Sequence, residues 1–297
     1  MTMKRICSLI LAFTILISLC GCGGSFGSFA GGLFLRLGNI LEHGRRSLPV
    51  LGSAAGYGAE FVGLVGAQLI SSILAVSCVT VAFCSNFLMV QDKANGTIKD
   101  LRISPIKSSA LSLSYYIATI ISTLLICFIA TVVCLIYLAI VGFYMSVADV
   151  IFLFLDVILV VLFGTALSSV INFFLSSQGQ ISAVGTIISA GYGFICGAYM
   201  PISSFGEGLQ KVLSFLPGTY GTALVRTHSM QGALAEMQNQ GIPAEVIESI
   251  KDSLDCNLYF FGEQVNTPTM YLILGGTIAV LIAVYVLMNS LKKQNFR

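Results

Sequence analysis

Residues 110–148 read ALSLSYYIATIISTLLICFIATVVCLIYLAIVGFYMSVA, with no Lys, Arg, Asp or Glu anywhere in the run. About 20 predominantly apolar residues cross a bilayer as a helix, so this stretch alone places the chain in a membrane. Comparable uncharged runs lie on either side of it: Phe61 to Val90, Val150 up to Glu207 with one interruption at Asp156, and Met270 to Leu291. The run beginning at Val150 is long enough for two helices, and the polar stretch Ser176, Ser177, Gln178, Gly179, Gln180 divides it into spans near 151–175 and 181–200. A shorter apolar run, Ile6 to Cys20, precedes them all.

Composition agrees with these runs. Of 297 residues 56% are hydrophobic and 9% charged, against roughly 25% charged in a soluble domain. The 15 Lys and Arg with 13 Asp and Glu cannot coat a particle of 31.6 kDa, so much of its surface must face lipid. The mean hydropathy of +0.93 excludes disorder, and a net charge of +2 offers no basic patch for nucleic acid. Cys78, Cys84, Cys127, Cys134 and Cys196 lie inside apolar runs and read as small core hydrophobes. No His or carboxylate accompanies them at ligand spacing, so no metal site is expected.

Basic residues near helix ends are retained on the cytoplasmic side, which orients the spans. Lys93, Lys99, Arg102 and Lys107 crowd one connection, and Lys292, Lys293 and Arg297 crowd the tail; both segments therefore go inside. Four spans between them, 111–142, 151–175, 181–200 and 270–290, close the count and leave residues 201–269 outside. Glu236, Glu245, Glu248, Asp252, Asp255 and Glu263 against a single Lys251 make 228–267 an acidic external loop. Arg36, Arg45 and Arg46 would lie outside, against a tendency that is statistical. The expected fold class is an all-α polytopic membrane protein with six transmembrane helices, or five if the first is cleaved, in a bacterial cytoplasmic membrane.

The opening MKRICSLILAFTILISLCGCGG has a basic start, an apolar stretch and small residues after it, the plan of a signal peptide. Leu19, Cys20, Gly21, Cys22 resembles a bacterial lipobox, in which Cys22 would carry the lipid. The alternatives are a short first transmembrane helix over Ile6 to Cys20 and a misassigned or joined start. Residues 23–60 form an external segment with no sustained period, so their structure is not legible from sequence.

No GxxxxGK[ST] occurs, so the chain has no phosphate-cradling loop and is not expected to hydrolyse ATP itself. HExxH and GxSxG are also absent, no cofactor is expected, and His43 and His228 read as isolated solvated side chains. Asp156 is the acidic residue set well inside an apolar run, about 9 Å along its helix, and an intramembrane carboxylate is a functional candidate by default. Asn86 and Asn172 read as interhelical hydrogen bonders.

Two segments carry the functional expectation. MVQDKANGTIKDLRISPIKSSALSLSYY breaks at Asn95 and Gly96, runs amphipathically from Thr97 to Ile103 and stops before Pro105. Ile98, Leu101 and Ile106 fall on one apolar stripe, as in a short helix lying across the membrane face. Farther on, GAYMPISSFGEGLQKVLSFLPGTYGTALVR stays apolar but is studded with Pro and Gly, which break a spanning helix. Such backbone survives at membrane depth only where protein buries it or a cavity solvates it.

The pattern D-x-x-x-G-x-I-x-D-x-x-x-S-P-I, set by Asp92, Gly96, Ile98, Asp100, Pro105 and Ile106, resembles the cytoplasmic coupling-helix segment of ABC transporter permeases of the type 2 superfamily. Gly197, Pro201, Pro217, Tyr220 and Arg226 resemble the same family's re-entrant pair of short external helices and the P-x-x-Y-x-x-x-x-x-R stretch that follows. The resemblance covers about residues 62–291. Family members open with a cytoplasmic amphipathic helix and a long first span, whereas this chain opens with the signal-like segment. The resemblance implies a permease domain over 61–297 that forms the substrate pathway of an exporter. It also implies a second permease subunit, identical or related, and a separate ABC ATPase docked on residues 92–107, with 201–226 as the outer gate. The alternatives are a membrane-anchored structural or sensory protein and an ion-gradient-driven transporter.

Overall fold

The computed structural model describes residues 59–97, 108–260 and 262–294. Helix α1 spans Ala59–Ala94, α2 Ser108–Val141, α3 Val147–Phe174 and α4 Gln178–Ile195. A 3-10 turn at Ile202–Ser204 leads to α5, Glu207–Leu213, then to α6, Pro217–Asn239, and α7, Ala244–Ser253. A small antiparallel hairpin pairs β1, Tyr259–Phe260, with β2, Glu263–Gln264, before α8, Thr267–Gln294, closes the described chain.

Four of these helices are long and apolar enough to cross a bilayer: Gly63–Ala94, Leu111–Ile140, Val147–Phe174 and Thr267–Asn289. The run expected at 181–200 is also a helix, α4, but it is not among the four. Its first turn carries Gln178 and Gln180, and Gly185, Gly191 and Gly193 dilute the rest. Its 18 residues rise about 27 Å, close to the thickness of a hydrocarbon core.

The division expected at 176–180 is built by a cap. Leu175 turns extended after α3, and the Gln180 backbone N–H donates to Ser177 Oγ at 3.4 Å. Gln180 Oε1 in return accepts from the Ser176 and Ser177 backbone N–H groups, at 2.8 and 3.2 Å. Helix α3 begins in the same manner. The Ser146 backbone N–H donates to Asp149 Oδ2 at 2.9 Å, so the helix starts at Val147, four residues before the expected 151. Asp156 therefore lies about 14 Å along α3 rather than 9 Å.

Helix α1 is the central column. It packs against α2, α3, α4 and α6, and α3 and α6 in turn pack against α8. Leu74, Val79 and Phe83 of α1 meet Val157, Val160 and Val161 of α3, Leu224 of α6 and Leu274 of α8 in one continuous core. A second cluster joins Leu64 and Ala67 of α1 to Met230 and Leu234 of α6 and to Ile247 of α7. In the apolar part of α1, 67% of residues are buried, against 28% in α2 and 22% in α8, so the last two form the rim. On α2, Leu113, Ile117, Ile121 and Leu125 stand exposed at four-residue spacing. That is a continuous apolar stripe of the kind lipid covers.

The acidic segment beyond Arg226 is more ordered than a loop. Helix α6 runs on to Asn239, and its residues from Gly218 to Arg226 are all buried. His228 corrects the solvated reading: it is 7% exposed, because α6 lies among α1, α3 and α8 instead of on the surface.

Candidate functional site

Helix α4 ends at Ile195, and Gly197 then takes φ +72°, a left-handed conformation that turns the chain back on itself. A Cβ at Gly197 would come within 2.9 Å of Ile202 Cγ1, so both the angle and the space call for glycine. Pro201 precedes the 3-10 turn, and Pro217 begins α6, where its missing N–H leaves no bond unmade. Between them α5 is short and amphipathic, its Leu213 buried and Leu209 and Val212 exposed.

Arg226 ties this segment together. Its side chain is 1% exposed; Nη2 donates to the Gly197 carbonyl at 2.6 Å and Nη1 to the Leu254 carbonyl at 2.8 Å. The Asp255 carboxylate lies 3.6 Å from Nη1. Asp255 also accepts the backbone N–H of Ile202, and that of Ser203 at 3.1 Å, so it holds the start of the 3-10 turn. One buried ion pair thus joins the exit of α4, the turn at Pro201, α6 and the turn after α7. Burial lowers the pKa of Arg226, while the charge of Asp255 acts in the opposite direction. Asp255 itself sits at φ 54°, where an aspartate is tolerated better than most residues.

Tyr220 fixes the joint between α5 and α6. Its hydroxyl donates to the Ser214 carbonyl at 2.6 Å, and Thr219 Oγ1 donates to the Leu213 carbonyl at 3.0 Å. Gly197 and Arg226, singled out by sequence, therefore meet in one network beside Pro201, while Tyr220 makes a separate joint beside Pro217 through the Ser214 carbonyl. Sequence reasoning missed Asp255, which reads as one acid among six in that stretch; nothing local distinguishes it, since its role depends on a contact 29 residues away in Arg226.

At the opposite end of α1, the Tyr115 hydroxyl of α2 donates to Asp92 Oδ2 at 2.6 Å. Lys93 Nζ donates to the Asn172 carbonyl of α3 at 3.2 Å and lies 6.0 Å from the Phe173 ring centroid. Gly96 takes φ +85° with open space around it, so here the angle alone selects glycine. Ile98, Asp100, Leu101, Pro105 and Ile106, and Cys22 of the lipobox-like stretch, lie outside the described residues. Asn86 Nδ2 donates to Ser168 Oγ at 3.0 Å and to Ser169 Oγ at 2.8 Å, the interhelical role expected of it. Asn172 joins helices through its backbone carbonyl instead.

The cysteines at 78, 127, 134, 196 and 256 are free thiols, all buried. Among the described residues no group of three or more His, Cys, Asp or Glu is arranged to hold a metal ion.

Four long apolar helices, with a broken segment between α4 and α6, define a multi-pass membrane protein. The family model of the ABC-2 type transporter matches residues 25–228, and the chain belongs to that family. The match begins upstream of residue 62, where the resemblance read from motifs starts, and ends within α6. A search of curated proteins gave no match.

Proposed function

We propose that this chain is the membrane-spanning subunit of an ATP-driven exporter, forming the substrate pathway while a separate ABC ATPase supplies the work. The observation that supports this most directly is the family match over 25–228, which takes in both segments singled out above. The proposed arrangement has α1, α2, α3, α4 and α8 as five spans, with one more upstream unless it is cleaved. The C-terminus and residues 92–107 face the cytoplasm. A second permease subunit, most simply another copy, completes the pathway.

In this reading residues 92–107 are the mechanical joint. Asp92 and Lys93 support it, since they fasten the end of α1 to α2 and α3, so that a push on the joint moves three helices together. The segment 201–226 is the outer gate, its two ends tied to the exit of α4 through Arg226 and Asp255.

The test is affinity purification of the full chain from its native membrane, followed by ATP hydrolysis in nanodiscs. An ABC ATPase should copurify, and Leu101→Asp should abolish its stimulation by this subunit without reducing membrane insertion. Recovery of the chain with no ATPase, or unaltered stimulation in the variant, would refute the reading.

A further inference from the structure

Within the apolar bundle one ionisable cluster takes no part in the gate or the joint. Asp156 of α3 is completely buried. His228 Nδ1 of α6 lies 2.6 Å from its Oδ2, and the Tyr271 hydroxyl of α8 donates to its Oδ1 at 2.5 Å. Phe152 stacks on the imidazole with centroids 5.2 Å apart and planes 18° apart; Tyr271 lies on it at 6.5 Å and 29°. Leu153 and Val157 beside Asp156, and Leu224 one turn from His228, are buried and apolar.

The charge balance of this cluster depends on one proton. With a neutral imidazole, the carboxylate is an uncompensated charge about 14 Å along an apolar helix, which is costly. With one proton more, carboxylate and imidazole together are neutral. Each carboxylate oxygen already has a ring partner at hydrogen-bond distance, so the cluster has no evident place for a larger ligand. We propose that Asp156, His228 and Tyr271 form a proton-binding site inside the bundle, whose occupancy sets how firmly α6 is held against α3 and α8.

The surroundings favour the bound proton. Asp149, about two turns before Asp156 on α3, adds negative charge. Arg226 on α6 is engaged by Asp255 and two carbonyls. On α7, Lys251 bonds Glu248, while Asn257 bonds both Glu248 and Asp252. Helix α1 meets α6 through apolar residues such as Leu64 and Ala67. Burial disfavours imidazolium, but the hydrogen bond and charge of Asp156, the charge of Asp149 and a backbone bond at Leu224 outweigh it, and the His228 pKa lies above its ordinary value. A histidine raised in the folded state contributes stability that is complete below its unfolded pKa of about 6.5 and is lost as pH rises through the folded value.

The chain has two histidines, so His43→Gln leaves His228 as the single imidazole reporter. Full-length protein labelled with 15N in the histidine ring and held in lipid nanodiscs can be titrated by NMR from about pH 5 to about pH 9. The ring should titrate, and Asp156→Asn should weaken its proton binding by at least about tenfold. Tyr271→Phe should act in the opposite direction, because the carboxylate loses a donor that stabilises its charge. Backbone hydrogen exchange in α6, corrected for the intrinsic pH dependence, should be slower at the acidic end than at the alkaline end. A wild-type ring that stays neutral or stays protonated throughout, or a midpoint identical in Asp156→Asn, would overturn the site. Equal α6 protection at both ends would overturn its hold on the helix. The wild-type measurements decide both points whether or not a variant folds.

Discussion

Arg226 and Asp255 show how much one pair can organise when both members are buried. Removing one charge leaves the other desolvated and unpaired, a loss on the order of 3–5 kcal/mol. Asp255→Ala should therefore destabilise the protein more than Asp255→Asn, which keeps an acceptor for the Ile202 or Ser203 N–H. Thermal unfolding in detergent would measure the difference, and equal losses would show that the backbone bonds contribute nothing. Gly197→Ala should cost about 1–2 kcal/mol through its left-handed φ, and much of that cost should persist in an Ile202→Ala background, where the contact is gone but the angle remains. Residues of this kind were legible in proportion to how local their role is. Gly197, Pro201 and Pro217 act on their own backbone, and their residue types show it. Asp255 and His228 act through partners on other elements, so the sequence around them reads as an acidic stretch and a solvated histidine.

At the scale of elements, the long apolar helices were read nearly as they stand, because twenty uncharged residues leave little choice in a membrane. Their ends were less well read: Ser146 with Asp149, and Ser177 with Gln180, are caps whose bonds move a boundary by several residues. The sequence reads 228–267 as an acidic loop, because the polar residues at the end of α6, His228 among them, resemble a loop until their partners are in place. Helix α4 poses the remaining question, since it is shorter and more polar than its neighbours. If it crosses the bilayer, Gly179→Cys in its first turn and Met200→Cys just past its end, both at exposed positions, should react with an impermeant maleimide from opposite sides of the membrane. The background is measured on the parent chain, whose Cys7, Cys20 and Cys22 lie outside the described residues while most thiols within them are buried. Reaction of both from one side would make α4 a re-entrant element and reduce the proposed count of spans by one.

The outer surfaces of α2 and α4 can be compared as places where a second copy would sit. The stripe on α2 from Leu113 to Leu125 is Leu and Ile, which lipid satisfies, with exposed Ser114, Ala118 and Ser122 on its flank. Helix α4 differs: its main packing is against α1, and exposed Gln180 and Ala183 share its outer side with Ile187, which is 69% exposed. A mixed surface of small, polar and apolar residues suits contact with protein better than contact with acyl chains, because helix pairs in lipid associate through close packing and shared polar groups. If two copies meet on this face around a two-fold axis, a residue near the axis faces its own counterpart. Ala183→Cys, Ile187→Cys or Phe194→Cys, which follow one face at helical spacing, should then yield a disulfide-linked dimer in native membranes under mild oxidation. Ile121→Cys on the α2 stripe should stay monomeric and react instead with a lipid-soluble maleimide. Crosslinking through α2 with none through α4 would move the interface to the rim helices and leave α4 against lipid, with Gln180 held there by its cap bonds to Ser176 and Ser177.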